Sequence, residues 1–378
     1  MHKVRELSYY ASLRNRLHEH PDVSGTEHYA HDAIVAELQQ HHADKIHTHV
    51  GGYGVCAYWQ MHSSGVDTIA LRADIDALPI GHRCGHDGHT TILLRMAERL
   101  GRYRLMDSAD NPVRYNVLLI FQPEEETGKG AQKILSSGIL QTYDVKAIFG
   151  LHNLPGFPLG TVVLERHTFA AASSGVKYHL KGRETHASTP EKGINPGLAA
   201  AEIITRFDSL NTAVSDLGGF RQSTLICCRV GEEAFGTSAG QGDVMFTLRA
   251  FTNDAMQKLM HTADAIVDEV CQRYGVEMAK ELCEPFRATE NTPALVDQLH
   301  QIFSLPNEYL RGVQTLDTPF RWSEDFADYL QQIPGAFFGI GSGENQPELH
   351  HPDYNFPDAL IDPAASCFDL IVKNIIVP

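Results

Sequence analysis

Residues Asn116-Val117-Leu118-Leu119-Ile120-Phe121 form an almost wholly apolar run, and Gln122-Pro123-Glu124-Glu125-Glu126-Thr127-Gly128 follows at once. A run without polar alternation reads as a strand buried on both faces, the condition of a central strand in a helix-covered parallel sheet. Three adjacent acids at its end repel one another unless a cation or solvent compensates them. Neighbouring side chains of extended chain point in different directions. One carboxylate can therefore bind a metal while the next reaches a water beside it. The position just past a strand's carboxyl end is also where open α/β sheets bind ligands. A solvated acidic turn is the weaker alternative reading of this segment taken alone.

Working outward, residues 5–20 and 27–42 read as amphipathic helices, the first stopped by Pro21. Strands over 54–59 and 68–71, a helix over 90–104, a helix over 130–136 and a buried strand over 145–151 follow. This alternation predicts an α/β catalytic domain with a largely parallel, helix-flanked sheet. Near residue 175 the pattern changes. Val176-Lys177-Tyr178-His179-Leu180-Lys181 alternates apolar and polar, as in a sheet with one wet face. A helix over 196–210, strands over 223–230 and 243–251, a helix over 254–274 and a strand over 276–283 complete a β-α-β-β-α-β order. That order is the ferredoxin-like α+β arrangement. After Pro285, helices over 293–303, 323–330 and 363–376 and a strand over 336–340 resume α/β character. The expected division is therefore 1–174 and 286–378 for the catalytic domain, with 175–285 inserted. Two domains also suit a chain of 378 residues.

Composition narrows the function. With 31 Lys+Arg against 47 Asp+Glu, the formal charge is −16, which argues against a nucleic-acid partner. Hydrophobic content of 43% and charged content of 21% are those of a globular chain. No apolar run approaches the roughly 20 residues of a membrane span. The first residues, Met1-His2-Lys3-Val4-Arg5-Glu6-Leu7, lack an apolar h-region. The seven cysteines are odd in number and contain no Cys-x-x-Cys pair, in keeping with a reducing compartment. The expectation is a cytoplasmic protein with no membrane partner. Twenty-one histidines could mean metal or nothing.

Placement decides between these. Leu71-Arg72-Ala73-Asp74-Ile75-Asp76-Ala77-Leu78-Pro79 is closely followed by Cys84-Gly85-His86-Asp87-Gly88-His89. A thiol, two imidazoles and an acid within six residues are borderline-soft ligands suited to zinc or a similar divalent ion. Gly150-Leu151-His152-Asn153 ends another buried strand in a histidine. Glu348-Leu349-His350-His351-Pro352-Asp353-Tyr354 adds two more, and Gly182-Arg183-Glu184-Thr185-His186 sets one in a turn of the insert.

In this order the segments resemble the amidohydrolase branch of the metallopeptidase family that includes aminoacylase, hippurate hydrolase, auxin-conjugate hydrolases and carboxypeptidase G-type enzymes. Ser323-Glu324-Asp325-Phe326 belongs to the same resemblance, which covers nearly the whole chain. It implies two divalent metal ions per subunit (zinc, manganese, nickel or cobalt), with Cys84, His86, Glu126, His152 and His350 as ligands and the Cys84 thiolate shared. It further implies Glu125 as the general base, His186 as a lid residue that stabilises the oxyanion or holds substrate, and Asp76 as an acid orienting a ligand histidine. His89 and His351 would be supporting residues. Glu124 stands where a small residue is usual and receives no role. The substrate implied is a small N-acyl amino acid or short peptide, hydrolysed at its amide bond. A homodimer through the insert and an interdomain hinge come from the same resemblance.

Three departures stand out. Only Gly81 separates Ile80 from His82, where relatives carry a longer loop, so residues are expected to be missing there. Arg83 replaces the usual alanine before the cysteine. The insert reads Gly236-Thr237-Ser238-Ala239 in place of an Asn-Val-Ile-Pro-like turn. Gly236–Gly240 also matches Gly-x-Ser-x-Gly, which needs a strand before it and a helix after it. A strand is expected after it instead, which leaves a serine hydrolase as a remote alternative. A dipeptidase or carboxypeptidase of the same family is a nearer one, and a non-catalytic metal-binding protein a third. The Glu125–Glu126 pair argues against the last, since a structural site needs no spare base.

Overall fold

The computed structural model describes residues 5–62, 65–106, 110–212 and 219–377; residues 1–4, part of the stretch read above for a leader, lie outside them. The chain forms two compact units. One comprises Met1–Phe169, Glu290–Asp317 and Asp325–Pro378, the other Ala170–Thr289 and Thr318–Glu324.

The first unit is built on strands β1 (Lys45–Val50), β2 (Gly54–Trp59), β3 (Thr68–Asp74), β4 (Asn116–Gln122), β5 (Val145–Pro155) and β6 (Val162–Leu164). The second unit then contributes β7 (Ala172–Lys181), β8 (Thr185–His186), β9 (Arg221–Val230), β10 (Thr237–Ser238), β11 (Gln241–Ala250) and β12 (Glu277–Phe286). The first unit closes with β13 (Val313–Thr315) and β14 (Gly335–Gly343). Its eight-stranded sheet runs β1-β2-β4-β3-β5-β14-β6-β13. The centre, β4-β3-β5-β14, is parallel, whereas β1-β2, β2-β4 and β14-β6 are antiparallel. Every residue of β3 and β4 is buried, as the apolar run at 116–121 requires. Helices α1 (Leu7–Glu19), α2 (His28–Leu38) and α3 (His86–Arg104), with the helix Ile361–Asn374, join the sheet in one apolar core around Trp59, Leu71, Leu119, Phe149 and Phe338. No helix among the described residues is long and apolar enough to cross a membrane.

The second unit carries a four-stranded antiparallel sheet, β12-β7-β11-β9. Val176, Tyr178 and Leu180 of β7 and Val244, Phe246 and Leu248 of β11 are buried with Ile203, Phe207, Leu259 and Val267 from the helices Gly197–Asp208 and Asn253–Tyr274. This is the expected ferredoxin-like order. Ser238 lies in β10, pairs across to β8 and leads into β11, so no helix follows it. The serine-elbow context is absent.

Several expectations change in detail. β1 escaped the sequence reading because its residues, Lys45-Ile46-His47-Thr48-His49-Val50, are those of a polar sheet edge. The three-residue strands β6 and β13 are too short to show a period. Only Ala327–Leu330 of the helix expected over 323–330 is helical. α3 begins at His86, four residues early, because Gly85 at φ +98° ends the preceding loop there. The expectation of missing residues around Gly81 is corrected. The chain is continuous through a tight turn, with Gly81 at φ +96° donating to the Leu78 carbonyl at 2.8 Å and Arg83 donating to the Gly81 carbonyl at 2.7 Å.

At the carboxyl ends of the central strands, Arg72 is 1% exposed. It donates to Asp74 at 2.7 Å, to Asp325 at 2.8 Å and to the Gln122 side-chain oxygen at 2.9 Å. Asp325 also accepts from Gln122 Nε2 and, at 2.9 Å, from the Ala131 amide. Removing one partner of such a buried cluster leaves uncompensated charge. Arg72→Met should therefore lower stability by about 3–5 kcal/mol, measured by chemical denaturation at neutral pH. Burial disfavours the Asp74 anion, but His86, His89 and Arg72 outweigh it and hold that carboxyl well below its usual range. Its contribution is thus present above the unfolded carboxylate range and is lost as pH falls. The wild-type advantage over Arg72→Met should shrink in acid, and an equal difference at pH 3 and pH 7 would contradict this account.

Candidate metal centre

The loops that follow β3 and β4, strand β5 itself, the start of α3 and the turn after β14 bring the sequence-chosen residues of the first unit together. Cys84, His86 and His152 place one donor atom each within 4.8 Å of one another, and so do Cys84, Glu126 and His350. The two groups share Cys84. A third group, His86, Glu125 and Glu126, adds the neighbouring acid. His186 and His351 occur in none of the close donor groups among the described residues. His186 lies on β8 of the second unit, with Nδ1 2.7 Å from Ser188 Oγ. His351 is on the surface, its Nδ1 accepting from the Asp353 amide at 3.1 Å.

The imidazoles are aimed by backbone carbonyls. His86 Nδ1 lies 3.0 Å from the Asp76 carbonyl and His152 Nδ1 2.9 Å from that of Asn153. Each carbonyl can only accept, so Nδ1 carries the proton and Nε2 offers its lone pair. His152 Nε2 stands 3.5 Å from Cys84 Sγ. His350 sits in a left-handed conformation at φ +67°, its amide donating to the Arg83 carbonyl at 2.9 Å. Its Nε2 is 3.9 Å from Glu126 Oε1. Arg83, the departure before the cysteine, thus anchors the His350 turn through its backbone, and through its guanidinium it donates to the Tyr354 carbonyl at 2.8 Å.

Asp76 is fully buried. Its Oδ2 accepts from Ser24 Oγ at 2.6 Å and from the Glu126 amide at 3.1 Å, and its Oδ1 is 3.4 Å from His86 Nδ1. Glu125, 6% exposed, has Oε2 3.9 Å from His86 Nε2. His89 uses both ring nitrogens, Nδ1 to Asp74 at 2.6 Å and Nε2 accepting from the Asn153 amide at 3.2 Å. It braces the strand ends and leaves no lone pair for a metal. Asp74 received no role from the sequence, although it lies in a quoted motif. Its work depends on Arg72 and His89 meeting there, which spacing does not show.

Two atoms test whether the residues suit a metal. His86 Nε2 and Glu126 Oε1 are buried without a hydrogen-bond partner among the described residues and lie 3.9 Å apart. Buried polar atoms are nearly always paired, so two adjacent orphans of ligand type point to a cation between them. The set of thiol, imidazoles and carboxylate has the borderline-soft character that zinc-like ions prefer. Electrostatics agree. Burial, with Glu126 beside it, pushes the Cys84 thiol well up, and burial together with Asp76 pushes the Glu126 carboxyl to about 7 against the pull of His86. Burial followed by the neighbouring His89 holds the His152 imidazole well down and therefore neutral. Burial disfavours the His86 cation, but Asp74 and Cys84 outweigh it and raise that imidazole well above its usual range, so a cation entering must displace protons from Cys84, His86 and Glu126. Affinity should consequently rise with pH and fail in acid. Metal content after desalting should be high at pH 7.5 and largely lost at pH 5. Full retention at pH 5 would contradict these ligands.

Comparison with known proteins follows this geometry. The sequence pattern of peptidase family M20/M25/M40 matches residues 70–374. A hydrolase of Staphylococcus aureus (strain USA300), itself uncharacterized, is 28% identical over 398 residues, covering 98% of this chain and 99% of the relative. The crystal structure of the Bacillus subtilis YxeP protein, described as a dinuclear metal binding peptidase from the M20 family, superposes with a TM-score of 0.82 at 25% identity over 97% of each chain. The aminobenzoyl-glutamate utilization protein from Klebsiella pneumoniae shares the fold, with a TM-score of 0.73 at 19% identity over 97% of this chain and 95% of that one. The family expected from the motifs is the one matched, and the chain belongs to peptidase family M20/M25/M40, as a metal-dependent hydrolase.

Proposed function

We propose that the protein hydrolyses the amide bond of N-acyl amino acids of acetyl, benzoyl or aryl-acetyl type. The observation that carries this reading is the pair of donor groups sharing Cys84, with the carboxylate of Glu125 beside them and outside both. Two divalent ions held by Cys84, His86, Glu126, His152 and His350 would supply Lewis-acid polarisation of the amide carbonyl and a water acidic enough to react near neutral pH. Zinc, manganese, nickel and cobalt all suit the donor set.

The protein's own residues do the rest. Glu125 Oε2 takes a proton from the attacking water and returns it to the leaving nitrogen. It is buried, which keeps bulk water from competing for that proton. Asp76 keeps the His86 ring in place through its carbonyl, while its carboxylate accepts from the Glu126 amide and from Ser24 Oγ. By the sequence resemblance the insert over 175–285 is a lid and homodimer contact, with His186 on it stabilising the oxyanion or holding substrate. The seven free cysteines suit a reducing compartment, and a cytoplasmic location is part of this reading.

Glu125→Gln separates chemistry from binding. It should keep its metal content and lose about 100- to 10,000-fold in turnover, measured on the best substrate from a panel of acetyl, benzoyl and indole-acetyl amino acids beside simple dipeptides. Near-normal turnover in that variant removes Glu125 from the base role. Exclusive cleavage of dipeptides in the panel replaces the amidohydrolase reading by a dipeptidase one.

A further inference from the structure

Glu27, far from the motifs in sequence, is fully buried at the N-terminus of α2, and it makes no side-chain cap to that helix. Its Oε1 accepts two backbone hydrogen bonds instead, from Gly25 at 2.7 Å and from Glu124 at 3.0 Å. Glu124 occupies the left-handed region at φ +56°, where a non-glycine residue is strained by about 1–3 kcal/mol. That strained residue opens the 3-10 turn Glu125–Thr127, which carries both the proposed base and a proposed ligand. The same turn is held at its next corner, where the Glu126 amide donates to Asp76, and Asp76 is in turn held by Ser24. Asp22 completes the segment, accepting from the amides of Tyr29 and Ala30 while its carbonyl accepts from Ala77 at 2.8 Å.

We infer that residues 22–27 form a brace, with Glu27 as a positioning residue that holds Glu124 in its strained conformation and thereby aims Glu125 and Glu126. The inference rests on the function proposed above. The strain at Glu124 is compensated by an acceptor delivered from a different part of the chain. Without it the Glu124 amide would be left unpaired, and the turn would relax toward ordinary backbone angles. The two carboxylates would then move relative to His86 and Cys84. The Glu124 side chain pairs with Lys133 from the helix Gly130–Ser136, which secures the turn on its other side. Burial pushes the Glu27 carboxyl to about 7, against the pull of the Gly25 amide, so a neutral acceptor of equal reach is a fair substitute for it.

The test compares Glu27→Gln, which keeps the acceptor, with Glu27→Met, which keeps the volume and removes it. Cobalt(II) titration followed by d–d absorption reads the site without turnover, and kcat and KM are measured on the substrate the wild type prefers. Glu27→Met should bind one cobalt equivalent about 10- to 100-fold more weakly and lose about 100-fold in kcat with little change in KM. Glu27→Gln should recover most of both. Wild-type cobalt affinity and kcat in Glu27→Met overturn the brace, as does a Glu27→Gln impaired as severely as Glu27→Met. If Glu27→Met does not fold, Ser24→Ala carries the test at a half-buried hydroxyl. A weakened cobalt site there supports the brace, and wild-type behaviour overturns it. A wild type that binds cobalt but cleaves no acyl amino acid defeats the proposed substrate, while the cobalt comparison still decides the role of Glu27.

Discussion

Arg72, enclosed by Asp74, Gln122 and Asp325, ties the ends of β3 and β4 to the segment leading into Ala327–Leu330. A guanidinium this deep is tolerable only because each of its nitrogens has an acceptor and each acid has further donors. Asp325 reaches on to the Ala131 amide and so fixes the helix that follows the acidic turn. Asp74 reaches on to His89 and so fixes the first turns of α3. One buried charge cluster therefore ties together the ends of β3 and β4, the first turns of α3 and the helix Gly130–Ser136. Of the candidate ligands, Cys84 and His86 lie at the start of α3 and Glu126 just past β4, whereas His152 stands on β5 and His350 follows β14.

The centre itself is assembled from short rigid pieces rather than from one motif. Cys84 and His86 sit at a helix start created by a glycine with positive φ. Glu125 and Glu126 sit on a 3-10 turn entered through a strained glutamate. His152 lies within a long strand, eleven residues against seven and nine in its neighbours β3 and β14. His350 lies on a loop whose left-handed backbone is pinned to Arg83. Strain at Glu124 and His350 is stored where ligands must converge, as expected when surrounding structure over-determines a functional site.

Some of this was legible in the residues. The apolar runs announced buried strands, and the change to alternation near residue 175 announced a sheet with one wet face, because side-chain period follows burial. Other parts were not. The edge strand β1 carries lysine, histidine and threonine, so its hydrophobicity has no period to read. The Gly81 connection looked too short to be complete, yet a positive φ lets it turn in place. By the resemblance His89 is a supporting residue, but the partners that commit both its nitrogens depend on where Asp74 and Asn153 lie in space.

The sequence by itself determined the kinds of strand, their alternation with helices, the ferredoxin-like insert and the residue types able to ligate a metal. These follow from local chemistry, in which periodicity and donor identity are properties of short stretches. Only the tertiary structure decided which donors share Cys84, which histidine nitrogen faces inward, and that Glu27 supports the turn bearing Glu125. The first and last of these depend on groups far apart in the chain meeting in space, as Cys84 meets His152 at 3.5 Å and Glu27 meets the Glu124 amide at 3.0 Å. Distances of that kind are set by packing and by buried charge, not by spacing along the chain.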